Sequence, residues 1–189
     1  MSDHPKTLTT LDFLAMKRAG RKIVSLTAYD ALMARMLDAS GVDLILVGDS
    51  VNQVVAGRSS TLSATLDQMI YHAKAVQGAV RRALVVVDLP FLSYQVTPED
   101  AIRNAGRVLQ ETDAAAVKLE GGATMAPTIR ALVERGIPVM GHIGLTPQSI
   151  NVLGGFKTQG KTRDAWPLIE EDARQVAEAG AFAVVLEAV

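Results

Sequence analysis

Residues 83–88 read Ala-Leu-Val-Val-Val-Asp and residues 116–120 read Ala-Val-Lys-Leu-Glu, two short β-branched runs that end on charge. The same form recurs at Leu-Ile-Leu-Val-Gly-Asp (44–49), Val-Met-Gly-His (139–142) and Ala-Val-Val-Leu-Glu (183–187). Runs this short, apolar on both faces, are how strands of a parallel sheet read when helices cover them. The predicted strands are 23–28, 44–47, 84–87, 116–119, 139–141 and 182–186. Helix signals fill the intervals. Thr65-Leu-Asp-Gln68 has the form of a capping box ahead of Met69, Ile70, Ala73 and Val76 at helical spacing. Thr97-Pro98-Glu99-Asp100 offers an N-cap, a proline at the first helical position and acids in the first turn. Residues 31–39 run into Ser40-Gly41 and residues 165–179 into Gly180, each glycine placed to close a helix. The stretch 144–163 carries four glycines and Pro147, and reads as one extended loop.

The chain therefore alternates β and α units after a first helix, as in a doubly wound sheet or a (β/α)8 barrel. A dinucleotide fold wants G-x-G-x-x-G after the first strand, where Thr27-Ala28-Tyr29-Asp30 stands, and no Walker A motif occurs. The polar residues decide for the barrel. Asp49, Asp88, Lys118, Glu120, His142 and Glu187 close successive strands, and barrel enzymes carry their active sites on that rim. Alternation along a strand puts Lys118 and Glu120 on one side, with Val117 and Leu119 on the other. Clustered acids suit a hard divalent cation such as Mg2+, which with Lys118 would relieve their mutual repulsion.

Each residue also has a structural reading. An acid after a strand serves as a helix cap or turn residue, so Asp49 before Ser50 could cap, and Glu120 before Gly121-Gly122 could be a solvated turn acid. Lys118 could pair with Glu120 for structure, and His142 could be a hydrogen-bonded structural histidine. His72 in a helix and His4 in a polar tail take no role. Recurrence at the same strand end favours a site.

Composition limits the rest. The chain has 189 residues, 49% hydrophobic and 21% charged, with 19 Lys+Arg against 20 Asp+Glu, and reads as one globular domain over 1–189. A formal net charge of −1 removes the electrostatic case for nucleic acid or an anionic membrane surface. The absence of cysteine excludes disulfides, thiolate nucleophiles and thiolate-bound metals, and fits a cytoplasmic protein. Met1–Thr10 lacks the apolar segment of a signal peptide.

Further motifs stand in order along the chain: SLTAYD (25–30), VGDS (47–50), TLDQMIYHAKAV (65–76), VDLPF (87–91), VKLEGG (117–122), GIPVMGHIGLTPQS (136–149), GGFKTQG (154–160) and LEAV (186–189). In this ordered set the chain resembles the ketopantoate hydroxymethyltransferase family, which has the (β/α)8 TIM-barrel fold. The resemblance implies hydroxymethyl transfer from 5,10-methylenetetrahydrofolate to 3-methyl-2-oxobutanoate, in pantothenate synthesis, with Mg2+. It implies that Asp49, Asp88 and Glu120 are metal-site acids, and that Asp49, Ser50, Asp88, Lys118 and His142 contact the 2-oxo acid. Glu187 takes the place of the general base. It also implies a homo-oligomer acting on small molecules. The chain departs from the family at Val51-Asn52-Gln53, where Leu-Gly-Met is usual, and at Arg58-Ser59. Six strands against a barrel's eight lead to the expectation of a barrel cut off after the sixth strand. Two other readings are a magnesium-dependent oxo-acid lyase or mutase of the phosphoenolpyruvate mutase/isocitrate lyase group, which the lack of cysteine disfavours, and an inactive binding module.

Overall fold

The computed structural model describes residues 6–189, and His4 lies outside them. Helix α1 (Thr10–Arg18) comes first, held by a capping box between Thr9 and Asp12. Then follow β1 (Ser25–Thr27), α2 (Ala31–Ala39), β2 (Leu44–Val47), α3 (Val51–Val54), α4 (Leu66–Gln77) and β3 (Leu84–Asp88). The chain continues through α5 (Pro98–Thr112), β4 (Ala116–Glu120), α6 (Ala126–Val133), β5 (Val139–Gly144), α7 (Ile150–Leu153), α8 (Trp166–Glu178) and β6 (Ala183–Glu187). All neighbouring strands are parallel, in the order β1-β2-β3-β4-β5-β6. A doubly wound sheet would reverse its strand order at a switch point. This one never does, which is the progression of a (β/α) barrel.

Side-chain alternation divides the core into two layers. Ile45, Val47, Val85, Val87, Val117, Leu119, Val139 and Ile143 pack outward against Met69, Ile70, Ala73 and Val76 of α4 and the matching faces of α5 and α6. Leu44, Leu84, Val86, Ala116 and Met140 point inward and meet Phe13 and Met16 of α1, which closes the end of the sheet where the strands begin. Burying one such side chain is worth roughly 1.5–3 kcal/mol, so the paired layers supply the main driving force. The inward columns start apolar and end polar: Leu84-Val86-Asp88, Ala116-Lys118-Glu120, Met140-His142 and Ala183-Val185-Glu187. Period-two alternation thus delivers the charges to the opposite end from α1.

The structure corrects two expectations. The first strand is only Ser25–Thr27, because Val24 is diverted: its N–H donates to Asp43 Oδ2 (3.1 Å) and its carbonyl accepts from both Asp43 and Leu44. The stretch 144–163 is not one loop; it holds a 3-10 turn at Pro147–Ser149, helix α7 and the start of another turn at Arg163. Asn52, within the stretch that departs from the family, lies inside α3 with an ordinary negative φ. Its Nδ2 donates to Ser63 Oγ (2.7 Å) and to the Ser60 carbonyl (3.3 Å), pinning the following loop.

Candidate active site

Asp49, Ser50, Asp88, Lys118, Glu120, His142 and Glu187 all line one cavity of about 250 Å³ at the carboxyl ends of the strands, together with Thr27, Gln53, Thr61 and Phe156. Every residue singled out in the sequence is therefore brought together. Asp49, Asp88, Lys118, Glu120 and His142 are each less than 6% exposed. Ladder register sets them side by side: Asp88 opposes Lys118 and Glu120 opposes His142. Glu187 stands across from Gly144, whose φ of +87° and lack of a side chain leave room for the Glu187 carbonyl 2.4 Å from where a Cβ would sit. Gly48 serves likewise: a Cβ there would lie 2.8 Å from Ser50 Oγ.

The structural readings fall away one by one. Asp49 caps nothing; the N-cap of α3 is Ser50, with no side-chain cap bond. Asp49 Oδ2 instead accepts from Gln148 Nε2 (2.9 Å), and the Asp49 N–H donates to Asp88 Oδ2 (3.2 Å). Glu120 is not a solvated turn acid but is 5% exposed. Lys118 pairs with Asp88 Oδ1 (2.5 Å) rather than with Glu120. His142 Nε2 lies 3.2 Å from Glu187 Oε2 and its Nδ1 lies 3.6 Å from Glu120 Oε1, while neither nitrogen makes a hydrogen bond among the described residues. The Glu187 side chain is 40% exposed, the most open of the group.

Electrostatics follow from this crowding. Burial first, and then the charge of Asp88, push the Asp49 carboxyl up to about 7, against the pull of Gln148 and Lys118. Burial works against the Lys118 ammonium, but Asp88 and Glu120 outweigh it and hold its pKa above the ordinary lysine value. Lys118 is thus a fixed buried cation. Among the described residues no set of three His, Asp or Glu side chains is already spaced to enclose an ion. Mg2+ commonly takes only one or two carboxylates, with waters and substrate oxygens completing its shell, and a buried, acid-rich pocket with oxygen donors fits that mode.

Two functional residues escape sequence reasoning. Gln148 and Tyr94 carry no charge and lie off the strands, yet Gln148 bonds Asp49 and Glu120, and Tyr94 bonds the backbone of Glu120. Tyr29 is a third supporting group, its hydroxyl 2.8 Å from Ser50 Oγ and its carbonyl 2.7 Å from His72 Nδ1. The TPQS motif at 146–149 was the one available signal for Gln148.

Comparison with known proteins bears on the family and the fold. The family model for ketopantoate hydroxymethyltransferase matches residues 7–189. Similar relatives include the 3-methyl-2-oxobutanoate hydroxymethyltransferases of Chlorobaculum tepidum, 54% identical over 95% of this chain and 66% of that protein, and of Trichlorobacter lovleyi, 55% identical over 97% and 69%. The chain spans about two thirds of the length of the curated relatives it matches. Among solved structures, 2,3-dimethylmalate lyase, a PEP mutase/isocitrate lyase superfamily member, aligns with a TM-score of 0.67 at 19% identity, covering 97% of this chain and 64% of that one. Phosphonopyruvate hydrolase in complex with oxalate and Mg2+ aligns at 0.69 and 13% identity, covering 96% and 64%. At such identities the likeness speaks for the fold alone. The family model over residues 7–189 and relatives more than 50% identical lead to one assignment: the chain belongs to the ketopantoate hydroxymethyltransferase family.

Proposed function

We propose that this protein transfers a hydroxymethyl group from 5,10-methylenetetrahydrofolate to 3-methyl-2-oxobutanoate, giving 2-dehydropantoate. The observation that carries the reading is the convergence of Asp49, Asp88, Lys118, Glu120, His142 and Glu187 on one cavity, in a chain of this family. The relatives' printed name supplies the substrate.

Asp49, Asp88 and Glu120 are the residues that would hold a divalent cation, Mg2+ by preference for their oxygen donors. When bound, that ion supplies Lewis-acid stabilisation of negative charge on the oxo acid's oxygens. Lys118, charged and buried, offsets the same charge from the protein side. Ser50, with its hydroxyl oriented by Tyr29, and His142 contact the oxo acid. Glu187 is the base: it faces the cavity, with its Oε2 3.2 Å from His142 Nε2. Glu187 takes the proton from the carbon beside the ketone, and that carbon bonds to the one-carbon unit of the folate; both C–N bonds to that unit break, water supplies the hydroxyl oxygen, and the freed folate nitrogens take up the protons, leaving tetrahydrofolate. Within this reading the protein works in the cytoplasm, as a homo-oligomer. Among the described residues no helix is long and apolar enough to cross a membrane.

The test is product formation with and without the folate. With Mg2+ and both substrates, 2-dehydropantoate accumulates, and Glu187→Gln slows its formation by about 10²–10⁴-fold. Cleavage of an oxo acid without folate would overturn the reading in favour of a lyase.

A further inference from the structure

Gln148 touches two of the three acids at once. Its Nε2 donates to Asp49 Oδ2 (2.9 Å) and to the Leu89 carbonyl (3.0 Å), and its backbone N–H donates to Glu120 Oε2 (2.9 Å). Its Oε1 accepts from the Tyr94 hydroxyl (2.7 Å) and from Gln95 Nε2 (3.0 Å). A glutamine amide has two N–H donors and one oxygen with two lone pairs, so every position is used. The amide cannot be turned over. Reversal would set its oxygen against the Asp49 carboxylate and the Leu89 carbonyl, and its NH2 against the Gln95 NH2. Tyr94 locks the same arrangement from behind: it is 1% exposed, its hydroxyl accepts from the Glu120 N–H (3.1 Å), and its proton goes to Gln148.

One oxygen of Asp49 and one of Glu120 are thus committed to Gln148. Asp49 Oδ1 accepts no hydrogen bond among the described residues, and Glu120 Oε1 faces His142. Each acid thus has one oxygen held by a hydrogen bond, which fixes the rotation of the carboxylate, and one oxygen without a hydrogen bond among the described residues. Ca2+ takes six to eight oxygens and often grips a carboxylate by both, at about 2.3–2.6 Å, whereas Mg2+ takes about six at 2.0–2.1 Å with single carboxylate oxygens and water.

We propose that Gln148 is a positioning residue that restricts Asp49 and Glu120 to one-oxygen presentation, and so makes the site prefer Mg2+ to Ca2+. This rests on the divalent site proposed above. The bonds come from an element after β5 to acids at the ends of β2 and β4, so one residue, through its side-chain amide and its backbone N–H, orients the acids of two strands at once.

Calorimetric titration of the full chain with Mg2+ and separately with Ca2+, without substrates, tests it. The unsubstituted protein binds Mg2+ more tightly than Ca2+. Gln148→Met keeps the length but removes the donors to Asp49; it weakens Mg2+ binding by about 10–100-fold, the usual effect of losing a partner behind a metal ligand. Ca2+ binding falls less, so the Mg2+/Ca2+ ratio narrows. Tyr94→Phe, which removes only the hydroxyl that orients the amide, moves the ratio the same way by less, and decides the matter where Gln148→Met does not fold. A merely structural role would lower the melting temperature and both affinities together. An unchanged ratio in both variants, or a preference for Ca2+ in the unsubstituted protein, overturns the proposal alone. Binding of neither ion overturns the divalent site itself.

Discussion

Asp43 and Asp49 flank β2, both almost completely buried, and they are opposites. At the start of the strand, Asp43 accepts from Arg82 (2.6 Å), Arg21 (2.8 Å) and the Val24 N–H (3.1 Å). Burial pushes its carboxyl up, but Arg82, the Val24 amide and Arg21 together hold it below the ordinary aspartate value. At the end of the strand, Asp49 has one glutamine donor and faces Asp88, and its carboxyl rises to about 7. A buried acid answered by cations and amides is a joint; a buried acid facing other acids stores electrostatic strain that a ligand can relieve. The same strand carries a charge-balanced joint at one end and a crowded pair of acids at the other.

Substitutions should separate the two ends. The largest effect belongs to the rim: Glu187→Gln lowers the rate of product formation by about 10²–10⁴-fold, the share of a general base, with little change in melting. Asp43→Ala does the reverse. It strands two arginines and a buried amide, costing about 2–4 kcal/mol in urea unfolding; Arg21 and Arg82 are partly exposed, which keeps the cost from rising further. Its effect on rate, measured on folded protein, is small.

Asp49→Asn runs against intuition. The folded pKa of about 7 lies above the unfolded value of 3.8, so the folded state binds the extra proton. Stability is then full below about pH 4 and lost as pH rises through 7. In EDTA at about pH 8, Asp49→Asn should therefore stabilise the protein by roughly 2 kcal/mol, while abolishing activity; at about pH 5, between the unfolded and folded values, the gain is less than half as large, and it vanishes only below about pH 4. Equal melting of the two proteins at both pH values would erase the contrast with Asp43.

Much of this was legible in the chain. The strands β2 to β5 announce themselves because both faces are buried and therefore apolar, and each inward column ends in a charge that stands out against Val and Leu. Thr65 and Thr97 mark helix starts by side-chain bonds to the third residue on, a local effect that sequence shows directly. What was hidden is non-local. Ile23 and Val24 look like strand, and only the Asp43 carboxylate, distant in sequence, takes the amide of Val24 away. Lys118 adjoins Glu120 in sequence, but cross-strand register gives it to Asp88. Gln148 is uncharged, in a turn with no periodicity, and its role exists only because β2, β4 and β5 end at one place.

The central claim is that this rim removes a proton from the carbon next to the ketone of an oxo acid. Deuterium uptake at the third carbon of 3-methyl-2-oxobutanoate in heavy water, without folate, reads that step alone. The account predicts uptake that requires Mg2+, stops with EDTA and falls at least about 100-fold in Glu187→Gln. Undiminished uptake in Glu187→Gln, or none in protein shown by calorimetry to hold the oxo acid and Mg2+, would contradict it.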